Sequence, residues 1–265
     1  MNIIFILYFS IGLIASTLGA IAGLGGGVII KPVLDLFGDF KLPTIGVLSA
    51  ATVLSMATVS LIKMRKKEVK IDKITSSFLA VGSIVGGFVG KAIFNLIAIS
   101  LNIPTTTSII QSVVLTALLS LIFIYFKQKH NLKTYMLKNK LAIFTIGITL
   151  GFLSAFLGIG GGPLNVAALC LLFSMTSKNA GINSIFIIFF SQLSALILIV
   201  ITSGFGDYNL IMLLVMIPGG ILGGWIGSNI VTKLSNTQVE KIFNIVILII
   251  IIINFYNIAR ATLIL

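Results

Sequence analysis

Of the 265 residues only 24 carry a formal charge, 18 Lys/Arg against 6 Asp/Glu; 58% are hydrophobic and the mean hydropathy is +1.19. A soluble domain is about a quarter charged, and this chain is 9% charged, so it has too little polar surface for an ordinary globular enzyme. The net charge of +12 would suit a nucleic-acid binder only as a continuous basic face, and eleven of the basic residues instead fall in two short stretches, Lys63, Arg65, Lys66, Lys67, Lys70 and Lys73, then Lys127, Lys129, Lys133, Lys138 and Lys140.

Taken in chain order, apolar stretches of transmembrane length predict helices at 3–22, 44–62, 74–97 and 106–126, then at 141–157, 180–203, 209–231 and 239–258. No Lys or Arg precedes the first run, which therefore reads as a helix and not as a cleavable leader. Two shorter apolar pieces, 28–37 and 163–174, each follow a glycine cluster and have the length of a half-crossing.

The two halves repeat. Residues 19–27 read GAIAGLGGG and residues 154–162 read SAFLGIGGG; residues 82–93 read GSIVGGFVGKAI and residues 219–230 read GGILGGWIGSNI. Two glycine patterns recur in the same order at offsets of 135 and 137, which marks an internal duplication. The expected architecture is an all-α membrane protein with a first repeat at 1–126, a basic cytoplasmic linker at 127–140 and a second repeat at 141–265. Each repeat has about four full helices and one short half-helix after its glycine-rich break. If the short pieces complete crossings, the halves are inverted and the basic residues divide 14 to 2 across the membrane. If they do not, the halves run parallel and the division is 12 to 4. The positive-inside rule favours the inverted arrangement, with the basic loops 63–73 and 127–140 cytoplasmic and both termini outside, as in many secondary transporters.

The clusters Gly23-Leu24-Gly25-Gly26-Gly27 and Gly158-Ile159-Gly160-Gly161-Gly162 are poor helix interior, each glycine costing about 1 kcal/mol there. Unwound backbone at membrane depth must be buried in protein or line a cavity. A short helix follows each cluster, with Pro32 and Pro163 in or near its first turn, so backbone N–H groups and a positive helix end are expected to face the break and to suit an anion. The stripes Gly82, Gly86, Gly90 and Gly219, Gly223, Gly227, repeating every four residues, read instead as close helix packing.

The duplicated segments GLGGGVIIKPVL at 23–34 and GIGGGPLNVAAL at 158–169, with the later GGFVG and GGWIG, resemble the sulfite exporter TauE/SafE family, also called the TSUP anion permeases. The resemblance covers both halves and implies transport of small sulfur-containing or organic anions such as sulfite, thiosulfate or sulfonates. The second cluster departs from the first, with Asn165, Val166 and Ala167 where the first has Ile30, Lys31 and Pro32.

Polar residues at membrane depth complete the candidate site. Lys31 is either an anion-attracting cation or the partner of Asp35 at i+4; Lys91 is a pathway residue or snorkels to an interface. Asn165 could donate to an anion. Ser49, Thr52 and Ser55, with Asn183, Ser184, Ser191 and Gln192 in the matching helix, are a weaker pathway set or helix-packing polar groups. Cys170, the sole cysteine, excludes an intramolecular disulfide and a cysteine metal cluster and reads as packing; His130 lies in the basic linker, and Asp207 in a short outside loop. There is no GxxxxGK[ST] phosphate loop. The expectation is a non-enzymatic secondary transporter of the cell membrane, an exporter using alternating access, with no metal, cofactor or nucleic-acid partner. The alternatives are an anion-selective channel and an intramembrane assembly factor.

Overall fold

The computed structural model describes residues 3–66, 71–97, 104–202, 204–206 and 208–264, with the backbone alone at Lys66, Pro104, Thr105, His130 and Ile264. Lys67, Lys70 and Asp207 lie outside the described residues, as does the side chain of His130. The described chain is helical: α1 Ile3–Ala22, α2 Gly27–Phe37, α3 Leu42–Lys66, α4 Lys73–Asn95, α5 Pro104–Gln128, α6 Lys140–Leu157, α7 Gly162–Phe173, α8 Ser177–Thr202, α9 Leu213–Lys233 and α10 Asn236–Ile264. Eight of these are long and apolar enough to cross a membrane; α2 and α7 are the short pair.

Local chemistry sets the helix ends. Asp72 starts α4 by accepting hydrogen bonds from Thr75 N at 3.1 Å and Thr75 Oγ1 at 2.8 Å, and Asn139 starts α6 by accepting from Leu141 N at 2.9 Å. The two glycine clusters break the chain in the same way. Gly23, Gly25 and Gly26 have φ of 72°, 80° and 65°, and Gly158, Gly160 and Gly161 have 68°, 75° and 75°, a left-handed conformation that side chains disfavour.

After each break the chain turns back. Tyr8 on α1 donates to Asp39 just beyond α2, at 2.5 Å, so α2 returns to the end from which α1 set out. Tyr135 N donates to Leu171 O at 2.8 Å and Leu137 N to Leu172 O at 3.1 Å, so α7 likewise returns to the start of α6. The later helix α10 finishes α2: Asn257 Nδ2 donates to Pro32 O at 3.0 Å, and Arg260 Nη1 donates to Leu36 O at 2.5 Å.

Long-range packing comes in matched pairs, with α1 against α9 and α6 against α4, and with α3 against α9 and α8 against α4. The glycine stripes make the closest of these contacts. Gly82, Gly86 and Gly90 rest on the carbonyls of Phe144, Ile148 and Phe152, while Gly219, Gly223 and Gly227 rest on those of Phe9, Leu13 and Thr17. Each partner in the second set lies 135 residues before its counterpart in the first. Apolar surface faces outward along the helices, with Ile14, Leu121, Ile201 and Ile252 all more than half exposed, as expected for helices that meet lipid rather than water.

Candidate functional site

The two breaks meet each other. A Cβ on Gly27 would lie 2.8 Å from Ile159 O, and one on Gly162 would lie 1.8 Å from Leu24 O, so the start of each short helix abuts a carbonyl of the opposite break. Ser184 ties the crossing together, its hydroxyl donating to Gly23 O at 2.8 Å and Gly162 O at 3.4 Å. Ser49, the residue 135 positions earlier, sits against Gly27. The crossing lies opposite the middle of α8, where Gly25 faces Ile188 and Gly160 faces Gln192.

Open space exists on one side of this crossing. Two adjoining recesses of about 50 and 20 Å³ share Gly46, Lys91, Ala155 and Gly158. The larger adds Ser154, Gly160, Ser191 and Gln192, and the smaller adds Lys31 and Gln111. Together they have room for a few waters or an anion of a handful of heavy atoms. The first break is packed where the second is open. Gly23 lies against the Gly181 backbone, Gly25 against the Ile188 side chain and Gly26 against Ala15.

The lining is cationic and short of partners. Among the described residues no carboxylate borders either recess. Lys31 is 5% exposed and donates to Gln111 Oε1 at 2.5 Å and Leu157 O at 2.6 Å. Its expected i+4 neighbour Asp35 is not within ion-pair distance; the ion pair found among the described residues joins Lys129 and Glu240, far along the chain. Lys91 Nζ lies 4.5 Å from the centre of the Phe94 ring, a favourable but weak attraction. Ser154 Oγ is buried without a hydrogen-bond partner. An unpartnered buried hydroxyl in the recess that Lys91 lines, with Lys31 in the adjoining one, is a place where an acceptor-rich guest gains hydrogen bonds that the protein alone leaves unmade.

Of the residues expected at the site, Lys31, Gly158, Gly160, Lys91, Ser191 and Gln192 line the open space. Gly23, Gly25, Gly26, Gly27, Gly161 and Gly162 form the crossing behind it, and Asn165 is buried beside Gly161. Thr52 and Ser55 bond to helix carbonyls, at Leu48 for the first and at Thr52 and Ile217 for the second. Asn183 holds the α3–α4 connection, accepting from Asp72 N at 2.9 Å and Ser76 Oγ at 2.8 Å. Gln111 and Ser154 also belong to the lining; a glutamine inside an apolar helix is a signal the sequence carries, and a serine beside a glycine cluster is not.

A family model for the sulfite exporter TauE/SafE family matches residues 8–254, which include both breaks and every lining residue. The chain belongs to the sulfite exporter TauE/SafE family. It is 30% identical over 270 residues to the probable membrane transporter protein YunE of Bacillus subtilis, covering 93% of this chain and 95% of that one. A probable membrane transporter protein of Haemophilus influenzae is 23% identical over 167 residues, covering 58% of this chain and 56% of its own. No solved structure matches. The chain is thus a multi-pass membrane protein of a transporter family.

Proposed function

We infer that this TauE/SafE protein is a secondary transporter that exports small sulfur-containing or organic anions, such as sulfite, thiosulfate or sulfonates. The observation that carries the reading is the recess beside Gly158 and Gly160, bordered by Lys31 and Lys91 and, among the described residues, by no carboxylate. A buried cationic pocket attracts an anion by charge and holds it by N–H and O–H donors. The glycines serve by letting two helix breaks cross at close range, so the binding groups rest on a backbone junction shared by both halves. The paired contacts of α1 with α9 and α6 with α4 support two inverted repeats, the plan on which alternating access is built. With the basic loops 63–73 and 127–140 in the cytoplasm of a cell membrane, the recess opens toward the outside. Its closure at the first break favours a carrier over an anion channel, which needs a continuous path. Anion efflux from a cell negative inside gains about 2.3 kcal/mol per charge per 100 mV, which gives export its drive.

The test is counterflow in proteoliposomes with sulfite, thiosulfate, a sulfonate and a carboxylate. Saturable flux with trans-stimulation is expected; channel-like conductance without it, or no response to any of these anions, overturns the reading. Gly25→Leu and Gly160→Leu are expected to abolish the flux, and wild-type flux in both would remove the breaks from the site.

A further inference from the structure

α6 ends at Gly158, and the carbonyls of its last turn lose their helical partners. Side chains from the first half of the chain take two of them. Gln111 Nε2 donates to Phe156 O, and Lys31 Nζ donates to Leu157 O at 2.6 Å. Gln111 Oε1 also accepts from Lys31 Nζ at 2.5 Å, which closes a triangle between α2, α5 and the end of α6. An ammonium has three donors and no acceptor. Two are used here, and the third belongs to a group that borders the recess.

Completing a helix end does not require this arrangement. After the second break, the place equivalent to Lys31 relative to its glycine cluster is Val166, fully buried, and at the first break it is Ser184 that serves the Gly23 carbonyl. Offsets of 135 to 137 from Gln111 fall on Val246, Ile247 and Leu248, all apolar. One half therefore closes its break with neutral residues, while the other carries a buried ammonium that must be taken out of water.

We propose that Gln111 is the positioning residue of the anion site, holding the Lys31 ammonium at the recess with one N–H directed to the guest. This rests on the recess being the anion site. Gln111 acts through Lys31: its carbonyl fixes the ammonium, and its amide anchors the same side chain to α6. The lysine is thereby preorganised instead of searching its rotamers when the anion arrives.

The test is a double-mutant cycle on the full-length purified protein with Gln111→Met, Lys31→Met and the pair. Sulfite and thiosulfate affinities are read by titration calorimetry, and stability is read separately by melting without anion. Gln111→Met is expected to weaken anion binding about tenfold, the scale of one charge-assisted hydrogen bond. In the Lys31→Met background it should cost nothing further. A Gln111→Met protein that melts lower yet binds normally makes the residue structural and overturns the proposal. An equal loss in the Lys31→Met background also overturns it, because Gln111 would then act on the anion independently. Should Gln111→Met fail to fold, Gln111→Glu keeps an acceptor facing Lys31 while cancelling its charge. More than tenfold weaker binding is expected, and wild-type binding refutes. If wild-type protein binds neither anion, the site reading falls and this proposal with it; normal wild-type binding with an unaffected Gln111→Met removes only the role of Gln111.

Discussion

Replacing Gly162 by alanine puts the crossing of the two breaks to the sharpest test. The new methyl would lie 1.8 Å from Leu24 O, where ordinary contact begins near 3.4 Å, and the three atoms it meets, Leu24 O, C and Cα, are all backbone with no rotamer to yield. The junction must then open by about 1.6 Å in a close-packed interior. At Gly27 the same change meets Ile159 O at 2.8 Å and needs a smaller opening, about 0.6 Å. Overpacking costs about 1–3 kcal/mol, so Gly162→Ala belongs near the top of that range and Gly27→Ala near the bottom. For a chain of this size about 1 kcal/mol moves the melting temperature by 2–4 °C, which gives losses of about 6–12 °C and about 2–4 °C. Gly87→Ala is the control. Its methyl would meet the Ala155 side chain at 4.0 Å, and alanine gains up to about 1 kcal/mol of helix propensity, so no loss is expected. The chain supplies its own probe, because its single cysteine, Cys170, is 3% exposed and reacts with a fluorogenic maleimide only on unfolding. A Gly162→Ala protein that melts within about 2 °C of wild type would mean that the breaks do not cross as described.

Lys91→Met should weaken sulfite binding about tenfold while leaving the melting temperature almost unchanged, since what its ammonium gives the fold is a weak attraction to the Phe94 ring; unaltered affinity removes it from the site. Glu240→Gln removes the ionic partner of Lys129 while keeping an amide oxygen that can accept from Ser177, and at this partly exposed pair a loss of about 1 kcal/mol is expected. Salt should narrow the difference between Glu240→Gln and wild type, and equal melting of the two at low salt would refute the contribution. Reporters placed at the C-terminus and in the 127–140 loop should report opposite sides of the membrane, and a shared side contradicts the inverted arrangement.

The small-residue stripes were legible in the sequence as close-packing faces, and the structure supplies what they could not, namely the helix on the other side. A stripe of glycines says that a backbone can approach closely; only the fold decides that Gly86 meets Ile148 and Gly223 meets Leu13. The breaks illustrate the same limit. A missing Cβ serves a bound anion and an approaching carbonyl equally well, and Gly27 and Gly162 turn out to receive carbonyls. Lys31 stood out as a charge at membrane depth, but its partners lie 80 and 126 positions away, beyond any local rule that would have paired it with Asp35. Element ends moved for similar reasons. The last helix, expected over 239–258, continues to Ile264, and its added turns carry Arg260, which donates to the Leu36 carbonyl at the end of α2.

That capping places a constraint on the order of assembly. The Pro32 carbonyl waits for Asn257, 225 residues later in synthesis, an interval of about 10–45 s at 5–20 residues per second. The first helix waits nearly as long, because its glycine-stripe partner is α9. Throughout that time the N-terminal hairpin must sit in the membrane with exposed carbonyls and an unfilled face. Its short arm is too brief to cross alone. A ribosome that stalls after α8 would therefore release a chain whose beginning is unfinished, and quality-control proteases should find that chain cut most readily between α1 and α3.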